Sequence, residues 1–457
     1  MGKRQKSRLA FLTRKLLHNW DAKGVFVMKV TIIGAGPAGS LLAHYLLRRG
    51  QYQIDIYDSR PDPRKISFSK YRTFPLLLSE RGLNALRNIG LEEAVKSHGI
   101  ENTGMINYSK NSKPQELVRR KPILTIDRNT LVNTLLEKLE EKDKNRQVNI
   151  YFNSRCIGVD FRHKRLKFKK ETEEEITVGY DFLFGADGVR SVVRTHFLNT
   201  ERFEFEQSYL HEVYKTVYLS RINDKLRINL EPNKLHSWKL EDGTRLLAMP
   251  QPDNTLSCGL VFNHKKNQVM GISSKSEVRE FFEHNFPEVA KLMSESEAEA
   301  FVKRPGWNFV TIRCNRYHQG DSVLIIGDAA HAVPPTIAQG CNSALEDVIV
   351  FDRILDEYDD DYTKAIPQFT ARRIRDAHTL KNLAENSIPI SKPLFLQFVL
   401  RRKFARTMNQ LFPQFFAPFF LDLIAETTVP YSEILKSAKD WLSKVKKSNH
   451  KILDSSY

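Results

Sequence analysis

From Met28 onward the chain alternates short apolar runs with stretches whose apolar residues recur every three or four positions. Residues 29–33 are a short apolar run with β-branched side chains, which predicts a buried strand. Residues 37–49 put Leu41, Leu42, Tyr45 and Leu46 on one helical face. Pro37 opens that stretch and Gly50 follows it, as helix start and stop signals do. Residues 53–57 predict a second strand, so the region reads as a βαβ unit. Further buried strands are predicted at 182–184 and 322–326. Between about 200 and 317, apolar stretches alternate with polar turns and predict a largely antiparallel sheet. From about 340 the period is helical. The aromatic-rich stretch 411–425, interrupted by Pro413, Pro418 and Asp422, predicts buried helices, with a membrane-surface patch as the alternative.

Composition adds limits. The 457 residues suffice for two or three packed units. A net charge of +17 is spread along the chain rather than gathered into a nucleic-acid module, so no nucleic-acid partner is expected. An anionic substrate or an anionic membrane explains the charge as well. Cys156, Cys258, Cys314 and Cys341 stand far apart, which suggests neither a metal site nor a redox pair and fits a reducing, cytoplasmic setting. No apolar run reaches the length of a membrane span. Residues 1–27 carry seven basic residues against Asp21, with Phe11, Leu12, Leu16 and Trp20 spaced for one helical stripe. They read as a loose basic extension. The alternatives are an amphipathic surface helix, which would give peripheral membrane contact, and an organelle-targeting segment.

The chemistry sits at strand ends. Gly34-Ala35-Gly36-Pro37-Ala38-Gly39 lies between the first predicted strand and helix. In a dinucleotide fingerprint the first glycine makes the tight turn and the second admits a pyrophosphate. The third lets helix and strand pack closely. Asp58 follows at the end of the second strand, where an acid binds ribose hydroxyls. Gly185-Ala186-Asp187-Gly188-Val189-Arg190-Ser191 and Gly327-Asp328-Ala329-Ala330-His331, the latter running on through Pro334-Pro335 to Gln339-Gly340-Cys341-Asn342, follow two other predicted strands. Taken singly, each could be turn glycines with a capping Asp.

In this order the three motifs resemble the fingerprints of the FAD-dependent aromatic hydroxylases, the family of p-hydroxybenzoate hydroxylase. Several further stretches resemble the kynurenine 3-monooxygenases. They are Tyr71-Arg72-Thr73, Leu78-Ser79-Glu80-Arg81-Gly82, Asp127-Arg128-Asn129-Thr130-Leu131 and Leu230-Glu231-Pro232-Asn233-Lys234-Leu235-His236-Ser237-Trp238. The resemblance implies non-covalent FAD, NADPH or NADH as reductant, O2, and a small aromatic substrate that receives one oxygen atom. It implies that Asp328 binds the ribityl chain and that the segment from Pro335 through Gly340, Cys341 and Asn342 lies against the isoalloxazine. There the backbone N–H groups at Cys341 and Asn342 would stabilise the anionic reduced flavin. Asp187 and Gly188 are implied at FAD and NADPH, and Arg72 and Arg128 near the flavin. For the substrate, the resemblance points to Tyr431 and to Asn386-Ser387, while His236 and Trp238 are candidates to line the pocket. His331 reads as a loop element rather than a general base.

The implied fold is α/β: a discontinuous Rossmann-like FAD-binding domain over 28–200 and 318–365, with a substrate-domain insertion at about 100–125. An antiparallel-sheet substrate domain occupies 201–317, and a helical region 366–457. One departure stands out. Kynurenine 3-monooxygenases hold the substrate carboxylate with an Arg and a Tyr just after the stretch matching Gly99-Ile100. Here it reads Glu101-Asn102-Thr103-Gly104-Met105-Ile106, without an Arg. Alternatives on the same fold are a flavin-dependent reductase, a halogenase, or a non-catalytic flavoprotein. The four widely spaced tryptophans count against a halogenase, which should show a WxWxIP stretch. Because the first strand begins at Met28, a chain starting there is expected to fold and carry FAD like the full chain. Insoluble or flavin-free protein from that truncation would show that residues 1–27 are structural.

Overall fold

The computed structural model describes residues 28–65, 75–109, 113–265 and 267–454. The extension 1–27 and Arg72 lie outside the described residues. β1 (Met28–Ile33), α1 (Pro37–Arg49) and β2 (Tyr52–Tyr57) build the βαβ unit that the pattern predicts. Leu41, Leu42, Tyr45 and Leu46 are buried on α1, and burying such side chains stabilises by about 1.5–3 kcal/mol each. Gly50 ends the helix with its N–H donated to the Leu47 carbonyl.

The chain continues through β3 (Leu76–Leu78), α2 (Glu80–Arg87), α3 (Glu92–Lys96), β4 (Ile100–Tyr108), β5 (Gln115–Ile126), α4 (Arg128–Lys142) and β6 (Val148–Tyr151). β7 (Ser154–Asp160), β8 (Arg165–Lys170) and β9 (Glu175–Gly179) form a small antiparallel sheet before β10 (Phe182–Gly185) and α5 (Val192–Phe197). Next come β11 (Phe205–Ser220), the ribbon of β12 (Ile222–Asn223) and β13 (Ile228–Asn229), β14 (Lys234–Lys239), β15 (Arg245–Pro250) and β16 (Thr255–Asn263). Helices α6 (Lys275–Asn285), α7 (Pro287–Ala290) and α8 (Glu295–Lys303) precede β17 (Trp307–Cys314), β18 (His318–Gln319) and β19 (Val323–Ile325). The rest is helical: α9 (Asp328–His331), α10 (Gly340–Glu357), α11 (Tyr362–Asn386), α12 (Lys392–Leu411), α13 (Phe420–Glu426) and α14 (Tyr431–Asp454).

Two sheets organise these elements. The first has the order β18-β19-β10-β1-β2-β6 and is parallel except for β18. The second has the order β17-β11-β16-β15-β14-β4-β5-β3, so strands from before residue 130 complete the sheet of the middle region. Its one parallel pair is β14 with β4. One face of this sheet packs against α6, α7 and α8 in a core of its own. The pattern over 200–317 reads as largely antiparallel sheet and does not announce these helices. Their signals were present: Ser274 and Ser294 accept from the N–H groups of Glu277 and Glu297, the S-x-x-E pattern of a helix start.

The reading of 411–425 as buried helices needs correction. α13 buries Phe420, Asp422 and Ile424, but Leu411, Phe412, Phe415 and Phe416 are exposed. Pro413 interrupts α-helical hydrogen bonding there, so no continuous helix turns those rings inward. No helix among the described residues is long and apolar enough to cross a membrane.

Gly34 and Gly39 fix how α1 meets the sheet. Gly34 has φ 104°, a region open to glycine. A Cβ on Gly39 would lie 2.0 Å from the Gly34 carbonyl oxygen, which is backbone and cannot step aside. Gly39→Ala is therefore expected to lose stability by at least about 1–3 kcal/mol and to displace the first turn. A thermal melt and flavin content matching wild type would refute that.

Candidate active site

The three glycine-bearing turns follow β1, β10 and β19, neighbouring strands of the parallel sheet, at their C-terminal ends. Ligands of open α/β sheets bind in that crevice. The turns touch one another. A Cβ on Gly34 would strike the Ala186 carbonyl oxygen at 2.4 Å, and one on Gly327 would lie 3.5 Å from the Ala38 Cβ. Asp328 Oδ1 is 4.0 Å from the Cβ position of Gly340.

Two long helices begin at this crevice with no side chain over their first N–H groups: α1 after Gly36, and α10 after Gln339. Neither has an acid in its first turn. Such ends attract negative charge. The Arg128 guanidinium stands 3.7 Å from the Cβ position of Gly36, exposed and unpaired among the described residues. Asp127 holds it there by capping α4 through the N–H groups of Asn129 and Thr130. Asp328 is likewise exposed and unpaired among the described residues. An unpaired cation over a glycine turn, two open helix ends and a free carboxylate fit a dinucleotide with a pyrophosphate, a polyhydroxyl chain and a ring system that gains negative charge.

Other predicted residues support this cradle from behind. Buried Asp58 accepts from Ala35 N at 2.9 Å and from the Arg60 guanidinium at 2.8 and 3.0 Å. Burial opposes its charge, yet Arg60 holds the carboxyl below its ordinary value. Asp187 Oδ2 accepts from Val192 N and Val193 N, so the residue caps α5. Its Oδ1 is buried without a partner, and burial raises its pKa. Asn342 ties the start of α10 to β3: Oδ1 accepts from Ser79 N, and Nδ2 donates to the Leu77 and Ala338 carbonyls. Burial pushes the Cys341 thiol up to about 12, which removes it as a nucleophile. Pro335 opens the short 3-10 turn ahead of Gln339.

Tyr431 reaches the same place, its hydroxyl donating to Gln339 Oε1 at 2.9 Å. Ser387 does not offer its hydroxyl: it is buried and donates to the Leu383 carbonyl. Nor does the structure bring His236 and Trp238 to the cradle. Trp238 packs in the core beneath α6–α8 and stacks on Tyr108. His236 is fully buried, with Nδ1 3.0 Å from the Tyr108 hydroxyl and Nε2 2.9 Å from the Glu231 carbonyl. Strand alternation instead turns Leu235, Leu247 and Met249 to the opposite face, which also carries Tyr214, close enough to Arg128 to feel its charge.

The sequence reading missed a buried network behind the third turn. Asp347 Oδ2 accepts from Gly327 N at 2.8 Å and lies 2.7 Å from His331 Nε2, while Oδ1 accepts from Arg373 Nε at 2.8 Å. Burial alone would raise Asp347; His331 and Arg373 hold it below the usual range. Arg373 also meets Glu346 and Asp376, Glu346 meets Arg81 at 2.5 Å, and Arg81 lies 3.9 Å from the Tyr431 ring centroid. The available signal was charge placed among apolar residues of predicted helices, as at Asp347 between Leu345 and Val348.

Fold and crevice together define an FAD-binding oxidoreductase, and the family of the FAD binding domain matches residues 27–358. The kynurenine 3-monooxygenase of Phaeosphaeria nodorum is 32% identical over 392 residues, covering 80% of this chain and 80% of that one. That of Sus scrofa is 29% identical over 430 residues, covering 91% and 87%. Among solved structures, 2-methyl-3-hydroxypyridine-5-carboxylic acid oxygenase superposes with a TM-score of 0.65 at 20% identity, covering 78% of this chain and 90% of that one. A tetracycline destructase does so with a TM-score of 0.56 at 15% identity, with the same coverage. The chain belongs to the FAD-dependent monooxygenases of the kynurenine 3-monooxygenase family.

Asp328→Ala is expected to weaken FAD binding by about 1.5–3 kcal/mol, roughly 10- to 100-fold, through loss of a charged acceptor. Titration of stripped protein with FAD measures this. Unchanged affinity would remove Asp328 from the site.

Proposed function

We propose that this chain is an NAD(P)H- and O2-dependent monooxygenase that places one oxygen atom on an electron-rich aromatic small molecule, and that kynurenine is not its preferred substrate. One observation carries the reaction class. The open end of α10, Arg128 and the Gln339–Tyr431 pair converge on one crevice. When bound there, FAD supplies reduction by NAD(P)H and activation of O2. The chain supplies position and charge. Arg128 and the start of α1 receive the pyrophosphate, Asp328 accepts from the ribityl hydroxyls, and Asp187 offers its free Oδ1 to a hydroxyl. The N–H groups of Cys341 and Asn342 favour negative charge on the ring system. Tyr431 fixes the Gln339 amide, whose Nε2 donates to Ser79 Oγ, and so orients a polar group beside the substrate. Leu235, Leu247 and Met249 supply an apolar wall that keeps water out.

The substrate reading rests on β4. At the place of the family's carboxylate clamp, Met105 pairs with Leu117 across the strands, and no Arg stands on β4. Two Arg residues of β5 could substitute. Arg120 is engaged elsewhere, donating to Asn409 at 2.8 Å with Glu426 3.6 Å away. Arg119 donates from Nε to Asn102 Oδ1 at 3.1 Å. Burial, then the charges of Arg402 and Arg406, lower it to about 10, so a ligand anion near it would be welcome.

Kynurenine should stimulate NADPH oxidation weakly, with peroxide rather than 3-hydroxykynurenine as the main product. A substrate carboxylate without a bidentate partner is neither held nor oriented. Steady-state turnover that follows both products decides it. Tight, well-coupled hydroxylation would overturn the substrate reading, and Arg119→Ala should then raise KM roughly 10- to 100-fold. No NAD(P)H oxidation with any aromatic candidate, in flavin-loaded protein, would overturn the reaction class itself.

A further inference from the structure

The pairing of β4 with β5 shifts register between Asn102 and Gly104, opposite Val118 to Ile123. Arg119 and Arg120 stand in that irregular stretch of β5. A bulge re-aims side chains that a regular ladder would send to alternate faces. Arg119 turns to Asn102 and donates from Nε to Oδ1 at 3.1 Å. Arg120 donates to Asn409 at 2.8 Å and has Glu426 3.6 Å away. Helices α12 and α13 close the other side. Arg406 donates to the Val118 carbonyl and forms a bidentate pair with Asp422, at 2.6 and 2.8 Å. Arg402 lies 3.8 Å from the same Asp422.

Charge does not balance in this cluster. The guanidiniums of Arg119, Arg120, Arg402 and Arg406 face only the carboxylates of Asp422 and Glu426. Burial raises the Glu426 carboxyl above its ordinary value, which weakens the second of these anions. Burial also lowers Arg119 and Arg402, and neighbouring guanidiniums lower both further. Like charges held together away from water are unfavourable until an anion joins them. Hydrogen bonding is incomplete at the same place. Asn102 is 1% exposed, and its Nδ2 has no partner among the described residues. The buried Nε of Arg402 has none there either. A buried donor without an acceptor is costly, so unmatched cations and orphaned donors ask for the same partner. The planar fork of an arginine fits two oxygens of one carboxylate or phosphate. We propose that Arg119, Arg402 and Asn102 form a binding site for an oxyanion, a carboxylate or phosphate group, between the β4–β5 bulge and α12. The anion arrives either on an aromatic molecule or as a small ion, and the site itself does not depend on the reaction class.

Calorimetric titration and thermal unfolding of the full-length, flavin-loaded protein test this. The probes are benzoate and inorganic phosphate, with chloride at equal ionic strength as control. At least one oxyanion should bind saturably and raise the melting temperature beyond chloride. Saturation by benzoate alone gives the site to an aromatic carboxylate, and saturation by phosphate alone gives it to a phosphate group; both results support the site. Arg119→Gln and Arg402→Gln should each weaken that binding roughly tenfold or more, at unchanged flavin content. Asn102→Asp puts a carboxylate inside the site. It should raise the melting temperature of the anion-free protein and abolish the response to the probes, and it keeps the proposal testable if loss of an arginine unfolds the chain. Absence of saturable binding by either probe would overturn the proposal, as would binding unaltered in both Arg119→Gln and Asn102→Asp. Neither measurement involves turnover or NAD(P)H, so such a failure is distinct from failure of the monooxygenase reading.

Discussion

The buried carboxylate of Asp347 is the constraint on which the crevice depends. It accepts from the backbone of Gly327, so it fixes the turn that presents Asp328. It also meets His331 at the end of α9 and Arg373 on α11, while itself standing on α10. Four elements thus share one anion that water does not reach. A buried charge is tolerable only when fully paired, and removing one partner typically costs about 3–5 kcal/mol. Arg373 extends the tie through Asp376, which accepts from Ser432 N at the start of α14, and through Glu346 to Arg81 against the Tyr431 ring. The turn that presents Asp328 and the tyrosine that holds Gln339 are therefore parts of one electrostatic unit. His331, conspicuous in the third motif, serves this unit.

What the sequence made legible follows from what local chemistry dictates. A strand, a glycine turn and an amphipathic helix are specified within about twenty residues, so α1 appeared with its observed limits and the three turns could be paired with the ends of β1, β10 and β19. The converse cases are equally physical. His236 and Trp238 alternate with Leu235 and Ser237 along one strand, and no local pattern says which face meets the crevice. That choice was made by α6–α8, whose apolar surfaces cover the Trp238 side. Ser387 was placed near the pocket by resemblance, yet its hydroxyl is consumed within its own helix. The Asp347 network was hidden for another reason: its members lie far apart in the chain, and single buried charges look like surface charges until the partners are known.

The two halves of the site differ in what holds them. On the flavin side the functional groups are mostly backbone N–H groups, glycine clearances and helix ends. These tolerate little change, because a single Cβ at Gly34 or Gly39 meets backbone oxygen. On the side proposed for the substrate the groups are side chains projecting from β4, β5, β14 and β15. There, an Arg at Met105 would change the charge offered to a ligand and leave the backbone pairing of β4 with β5 as it is. A family likeness at about 30% identity therefore bears heavily on the reaction and lightly on the molecule transformed.

The same division bears on β4 and β5, the strands proposed to meet the substrate. They lie between the parallel β14 pair and β3, whose Leu77 carbonyl is held by Asn342 at the start of α10. Their register is thus fixed from both sides, and it shifts at one bulge, between Asn102 and Gly104. Arg119, at that bulge, donates to Asn102, and Arg406 on α12 donates to the Val118 carbonyl beside it. A substrate anion drawn toward Arg119 would thus be recognised by a strand that α12 buttresses. A helix with only two buried residues then sits next to the strand proposed to meet the substrate. Low local stability is what a binding element needs if it is to yield to its ligand, and α12, with two buried residues along its length, is built on that principle.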